Sequence, residues 1–60
     1  MKVKILKHDD YRTSHYEGKI GEVESEASDG RLVVGFGELD EDGFHKDWDI
    51  FELENVIQVE

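Results

Sequence analysis

Val3 and Ile5 alternate with Lys2 and Lys4, a period of two that predicts a first strand over residues 2–7. The stretch from His8 to Glu17 is polar and without period, and predicts a long loop carrying Tyr11 and Tyr16. Ile20 and Val23 are both apolar but out of phase for one regular strand, with Gly21 between them. A β-bulge at that glycine, with positive φ, would re-phase the alternation and bend the strand. Beyond it, Val23 and Ser25 face one way and Glu22, Glu24 and Glu26 the other, so this strand is expected to have one solvated side. Asp29-Gly30 between two strand-like runs predicts a two-residue hairpin with positive φ. The returning run, Arg31 to Phe36, directs Leu32, Val34 and Phe36 inward. Gly37 to Gly43 is a second turn, longer and acidic. Phe44 to Trp48 predicts a fourth strand with Phe44, Lys46 and Trp48 on one side and Trp48 completing the core. Asp49 is placed to cap a single helical turn, with Glu52 at the capping-box position, and Leu53 and Val56 are expected in the core. Ile57 and Val59 then form a short last strand.

Five short strands, a long first loop, a tight hairpin and a one-turn helix before the last strand predict an all-β domain. The architecture they describe is a small five-stranded SH3-like barrel over residues 1–60. Closing such a barrel sets the first and last strands side by side, with Lys2 and Lys4 near Gln58 and Glu60. Lys46 then either snorkels or marks an open edge. Gly18-x-x-Gly21-x-Val23, followed by Leu32-Val33-Val34-x-Phe36, resembles the strand-bulge-strand core of KOW-type SH3-like barrels. Phe44-x-x-x-Trp48-x-x-Phe51-Glu52-Leu53-Glu54-x-Val56 resembles the closing half of the same barrels, as in the photosystem I accessory E subunit. The resemblance implies the architecture. KOW modules commonly bind RNA, or transcription and ribosome components, through basic loops, whereas the second strand here carries Glu22, Glu24 and Glu26. The Ala-Leu-Tyr-Asp-Tyr start of peptide-binding SH3 domains is absent as well. Likeness of fold does not carry function with it.

A chain of 60 residues makes one domain and buries only about 60% of the surface its unfolded form exposes. With no cysteine, its stability rests on one apolar core and on strand pairing rather than on disulfides or thiolate-bound zinc. Six aromatic side chains make that core feasible despite an apolar fraction of 37%. The apolar run at the start is too short for a signal-peptide core or a membrane span, so a cytoplasmic protein without membrane contact is expected. The formal net charge is −9, unevenly spread. Residues 1–21 hold five basic against three acidic side chains, and residues 22–60 hold two against thirteen. A field of that sign repels phosphate backbones, which disfavours direct nucleic-acid binding and favours a protein partner with a basic surface.

Catalysis and metal binding find little support in the pattern. His8, Asp9, Asp10 and His15 lack metal-ligand spacing. Asp40-Glu41-Asp42-Gly43 echoes the start of a calcium loop without the flanking helices. A domain this small has little room for a pocket that would tune an acid–base pair, so neither enzyme activity nor a cofactor is expected. The expected function is that of a small acidic, non-catalytic protein-binding or accessory module. Its contacts would come from Tyr11 in the long loop, from the strand carboxylates Glu22, Glu24 and Glu26, and from Asp40, Glu41 and Asp42 at the second turn. The alternative is a nucleic-acid mimic, phage-encoded for example, that inhibits a DNA- or RNA-binding protein. It requires most carboxylates to lie on one continuous face.

Overall fold

The computed structural model of the chain describes residues 1–6 and 14–59. Five strands form one antiparallel sheet: β1 (Lys2–Ile5), β2 (Ile20–Glu26), β3 (Leu32–Leu39), β4 (His45–Phe51) and β5 (Val56–Gln58). Single 3₁₀ turns occupy Ser14–Tyr16 and Leu53–Asn55, the second directly before the last strand. The order across the sheet is β4-β3-β2-β1-β5. The first and last strands are therefore neighbours, with Val3 opposite Gln58 and Lys4 opposite Ile57. Strands β4 and β5 lie at the two ends of that order, with no ladder between them among the described residues. No helix among these residues is long and apolar enough to cross a membrane.

One face of the sheet carries the core. Val3, Ile5, Tyr16, Val34, Phe36 and Phe51 are buried, with Val23, Leu32 and Val56 packed against them. The Tyr16 ring stacks on Phe36 with centroids 4.4 Å apart, and both rings meet Phe51 edge-on at 5.6 and 6.1 Å. Such aromatic pairs contribute about 0.5–1.5 kcal/mol each beyond the area they bury. Three rings from three separate parts of the chain thus concentrate much of a small core at one point.

Both hairpins close in the same way. Ala27 N–H donates to the Arg31 carbonyl at 2.7 Å and Gly30 N–H to the Ala27 carbonyl at 2.9 Å. Ser28-Asp29-Gly30 is therefore a three-residue loop, not the expected two-residue one, and only Gly30 takes positive φ, at 90°. Asp40 and Phe44 repeat the arrangement around Glu41-Asp42-Gly43, where Gly43 has φ 88°. A type I turn followed by one left-handed residue needs a glycine only at the third position, which leaves the aspartate before it at ordinary φ. Asp29 instead uses its side chain: its carboxylate accepts from Arg31 N–H at 3.1 Å and pairs with Arg31 Nε at 2.8 Å. The Arg31 amide is the main reason the Asp29 carboxyl titrates below its usual range.

Three expectations about side-chain direction are overturned. Gly21 is not a bulge: it pairs regularly with Val3, and its φ lies outside the positive range. Its role is close approach, because a Cβ built there would point into the core and strike Val34 and Phe36. The bulge falls instead between Val23 and Ser25, at Glu24. It parts the expected acidic stripe: Glu22 sits opposite Gly35 on the outer face, while Glu26 sits opposite Leu32 on the core side of the sheet. In the third case β4 is turned over. Asp47, Asp49 and Phe51 are opposite Phe36, Val34 and Leu32, so the odd-numbered row faces the core, and Trp48 lies outside, 53% exposed. Asp49 is a strand residue and not a helix cap. Its carboxylate accepts from Ile50 N–H at 2.8 Å, and Glu52 is the residue that precedes the 3₁₀ turn. Leu53 is likewise exposed and only Val56 reaches the core.

Two aspartates facing the core side of an end strand are tolerated because neither is fully buried and each carboxylate has a partner, Ile50 N–H for Asp49 and the Tyr16 hydroxyl for Asp47. The Tyr16 hydroxyl donates to Asp47 Oδ1, which ties the first 3₁₀ turn to the far end of the sheet. Burial first, then the bond to Asp47 and the charges of Asp47 and Asp49, push the Tyr16 pKa up to about 12 from 10. The folded chain thus holds this proton where the unfolded chain releases it. The associated stability is complete below pH 10 and is lost as pH rises toward 12. Tyr16→Phe is expected to cost about 1.5–3 kcal/mol at neutral pH, the worth of a hydrogen bond to a charged acceptor. It should also remove the ionisation that approaches pH 12 in an alkaline absorbance titration. A Tyr16 ionisation near pH 10 in the native chain would contradict the contact.

Candidate functional site

The inversion of β4 gives the outer face of β2, β3 and β4 its chemistry. Gly35 is opposite Trp48 and Val33 is opposite Ile50, so both rows project away from the core. A register irregularity between Phe36 and Leu39 brings His45 onto the same face, where its ring fills the space that a side chain on Gly35 would occupy. The result is a shallow concavity of about 400 Å³. Half-buried Val33 and Ile50 lie in it beside Phe44 and Trp48, which are 61% and 53% exposed. Exposed apolar residues are ordinary singly, but two large aromatics sharing one depression are not.

Two carboxylates complete the lining. Glu24, set apart by the bulge, directs Oε2 to the His45 backbone N–H at 2.8 Å and to the His45 Nδ1 at 2.8 Å. The backbone amide is the larger cause, and the ring the next, of a Glu24 carboxyl that titrates below its usual value. Asp40 places Oδ1 within 3.0 Å of Phe44 N–H and 2.9 Å of Asp42 N–H. Consecutive amides, Phe44 and His45, therefore each hold one carboxylate at the same end of the concavity. Neither acid has to pay rotamer entropy on meeting a ligand, because its position is already fixed.

The residues expected from sequence are thus only partly assembled. Glu24 and Asp40 come together. Glu22 lies in an adjoining shallow pocket with Lys2, Ile20 and Gly35; its Oε1 is 3.4 Å from the Met1 amino group, and its buried Oε2 has no hydrogen-bond partner among the described residues. Glu26 is on the other side of the sheet, and Glu41 and Asp42 are exposed at the hairpin tip. Tyr11 lies outside the described residues, as do His8, Asp9 and Asp10. Among the described residues no group of three or more histidine, aspartate or glutamate side chains is placed to hold a metal ion.

Sequence reasoning missed Val33, Phe44, Trp48 and Ile50 as a surface. A partial signal was available: Phe44, Trp48 and Ile50 share the even-numbered row with charged Lys46, while Asp47 and Asp49 occupy the alternate row. That pattern belongs equally to a strand with its aromatic row buried, and local sequence does not distinguish the two. No family model, curated protein or solved structure matches the chain.

Proposed function

We propose that the chain is a small, non-catalytic protein-binding module that docks a basic partner on the outer face of β2, β3 and β4. The observation that carries this reading is the pairing of Phe44 and Trp48, exposed in one depression with the fixed carboxylates of Glu24 and Asp40. Aromatic anchors within a polar rim are the usual composition of a protein-binding hot spot. The net charge of −9 adds long-range attraction for a cationic surface and speeds encounter with it. The strand order, with β1 between β2 and β5, also supports reading the sheet as an SH3-like barrel of the KOW type. A nucleic-acid mimic is less well supported. Glu22 and Glu24 lie on one sheet face and Glu26, Asp47 and Asp49 on the other, so the carboxylates do not line one continuous track.

Trp48→Ala tests the proposal. The side chain is half-exposed on an end strand and outside the core, so the variant should remain folded, as circular dichroism would show. Retention of partner protein from extracts of the producing cells should fall at least tenfold, as for loss of a hot-spot aromatic. Leu53→Ala, which removes an equally exposed apolar side chain outside the site, should leave retention unchanged. Raising the salt concentration should weaken capture by the native chain. Equal retention by the Trp48 and Leu53 variants would overturn the assignment of this face.

A further inference from the structure

We propose that the concavity between Phe44 and Trp48 receives an arginine side chain presented by the partner. This rests on the docking surface proposed above and specifies what fills its centre.

The argument begins with the combination of groups. An exposed indole and phenyl offer negative π-faces, which attract a cation and gain more when it is planar and weakly hydrated. A guanidinium has both properties, whereas an ammonium is compact and strongly hydrated. The two carboxylates at the head of the depression are positioned by backbone amides rather than by flexible contacts, Glu24 by His45 N–H and Asp40 by Phe44 N–H. Fixed carboxylate oxygens beside aromatic faces suit a fork of N–H donors, which can bond at its edge while its plane stacks. Val33 and Ile50 supply apolar contact for the methylene stem.

Among the described residues, no lysine or arginine lines this concavity. Lys46, between Phe44 and Trp48 in sequence, directs Nζ toward Glu38 at 3.8 Å, and Arg31 pairs with Asp29 in the other hairpin. Net negative charge then favours a cation from outside. The volume of about 400 Å³ falls within the range of small ligand sites and accommodates one long side chain rather than a folded surface.

The test uses the intact chain and three blocked pentapeptides of sequence Gly-Gly-X-Gly-Gly, with X arginine, lysine or citrulline. Citrulline keeps the shape of arginine and removes its charge. Binding is followed by Trp48 fluorescence and by the amide shifts of Glu24, Asp40 and His45. The arginine peptide should saturate the signal with a Kd at least tenfold below that of the citrulline peptide and severalfold below that of the lysine peptide. Glu24→Gln combined with Asp40→Asn should erase most of that preference while the aromatic contact remains. Equal binding of arginine and citrulline, tighter binding of lysine, or no saturable response to arginine would each overturn the inference. If the arginine peptide fails while partner capture still depends on Trp48, only this inference falls. If capture ignores Trp48, the underlying docking surface falls with it.

Discussion

Gly21→Val is expected to leave the chain largely unfolded at room temperature. A Cβ at this position would lie 2.6 Å from Val34 Cγ1, 2.7 Å from Phe36 Cε1 and 2.8 Å from the carbonyl oxygen of Gly35. Val34 and Phe36 are core residues, and the Gly35 oxygen belongs to the backbone of the adjacent strand, so no rotamer change relieves all three contacts. Overpacking a well-filled core costs about 1–3 kcal/mol, and two further methyl groups add to it. At roughly 0.05–0.15 kcal/mol per residue, a domain of this size has only about 3–9 kcal/mol in total. Gly21→Ala gives the graded version, with a lower midpoint in chemical denaturation. The comparison with Gly30→Ala is informative. Gly30 has positive φ but nothing within 4 Å of its Cβ position, so alanine there meets torsional strain alone and costs about 1–2 kcal/mol. The order of damage, Gly21 above Gly30, separates close approach from backbone conformation as the reason for each glycine. An unchanged midpoint for Gly21→Val would refute the packing described for β2 against β3.

Gly35→Ala should be the next most damaging change, and its effect should reach the candidate site. The added Cβ would collide with the Nδ1, Cγ and Cβ atoms of His45. Because the Cβ of His45 is among them, rotating the ring alone does not clear the clash, and β3 and β4 must shift where they pair. A loss of about 1–3 kcal/mol is expected from the overpacking. Displacement of His45 would also release Glu24, whose carboxylate accepts from both the His45 amide and ring. The Glu24 carboxyl, held below its ordinary value of 4.5 by those bonds, should then titrate closer to it, as followed by side-chain carbon shifts. A Glu24 titration identical in native chain and variant would show that His45 does not organise this carboxylate.

Where alternation was unambiguous, sequence and structure agree. Val3 and Ile5 of β1, and Val34 and Phe36 of β3, are buried as their period of two requires, with Leu32 packed beside them. Both Asp-Gly pairs end a hairpin loop, and the last strand returns beside the first. The failures share a cause. A glycine inside a strand satisfies either a bulge or a close approach, and only the opposing strand decides between them. Gly21 faces Val34 and Phe36, and Ile20 looks out of phase simply because it points outward, 58% exposed. For β4 the deciding contacts come from far along the chain. Tyr16 reaches Asp47 across 31 residues, and Phe51 is anchored among Tyr16 and Phe36, so the row containing two aspartates is the one turned inward. Local hydrophobicity favours burying Trp48, and tertiary contacts outweigh it. The acidic half of the candidate site was visible as composition, but the bulge at Glu24, which selects Glu24 over Glu26, is a property of the pairing with β3.

The position of Trp48 carries the functional account, and because it is the chain's one tryptophan, its fluorescence reports on that position without interference. Acrylamide quenching of the native and the denatured chain is the direct measurement. A Trp48 on the outer face predicts a native emission maximum close to that of a solvated indole and a native quenching constant near half or more of the denatured value. A strongly blue-shifted native emission, shielded from quencher until the chain unfolds, would place the indole in the core and contradict both the turned-over β4 and the binding face built on it.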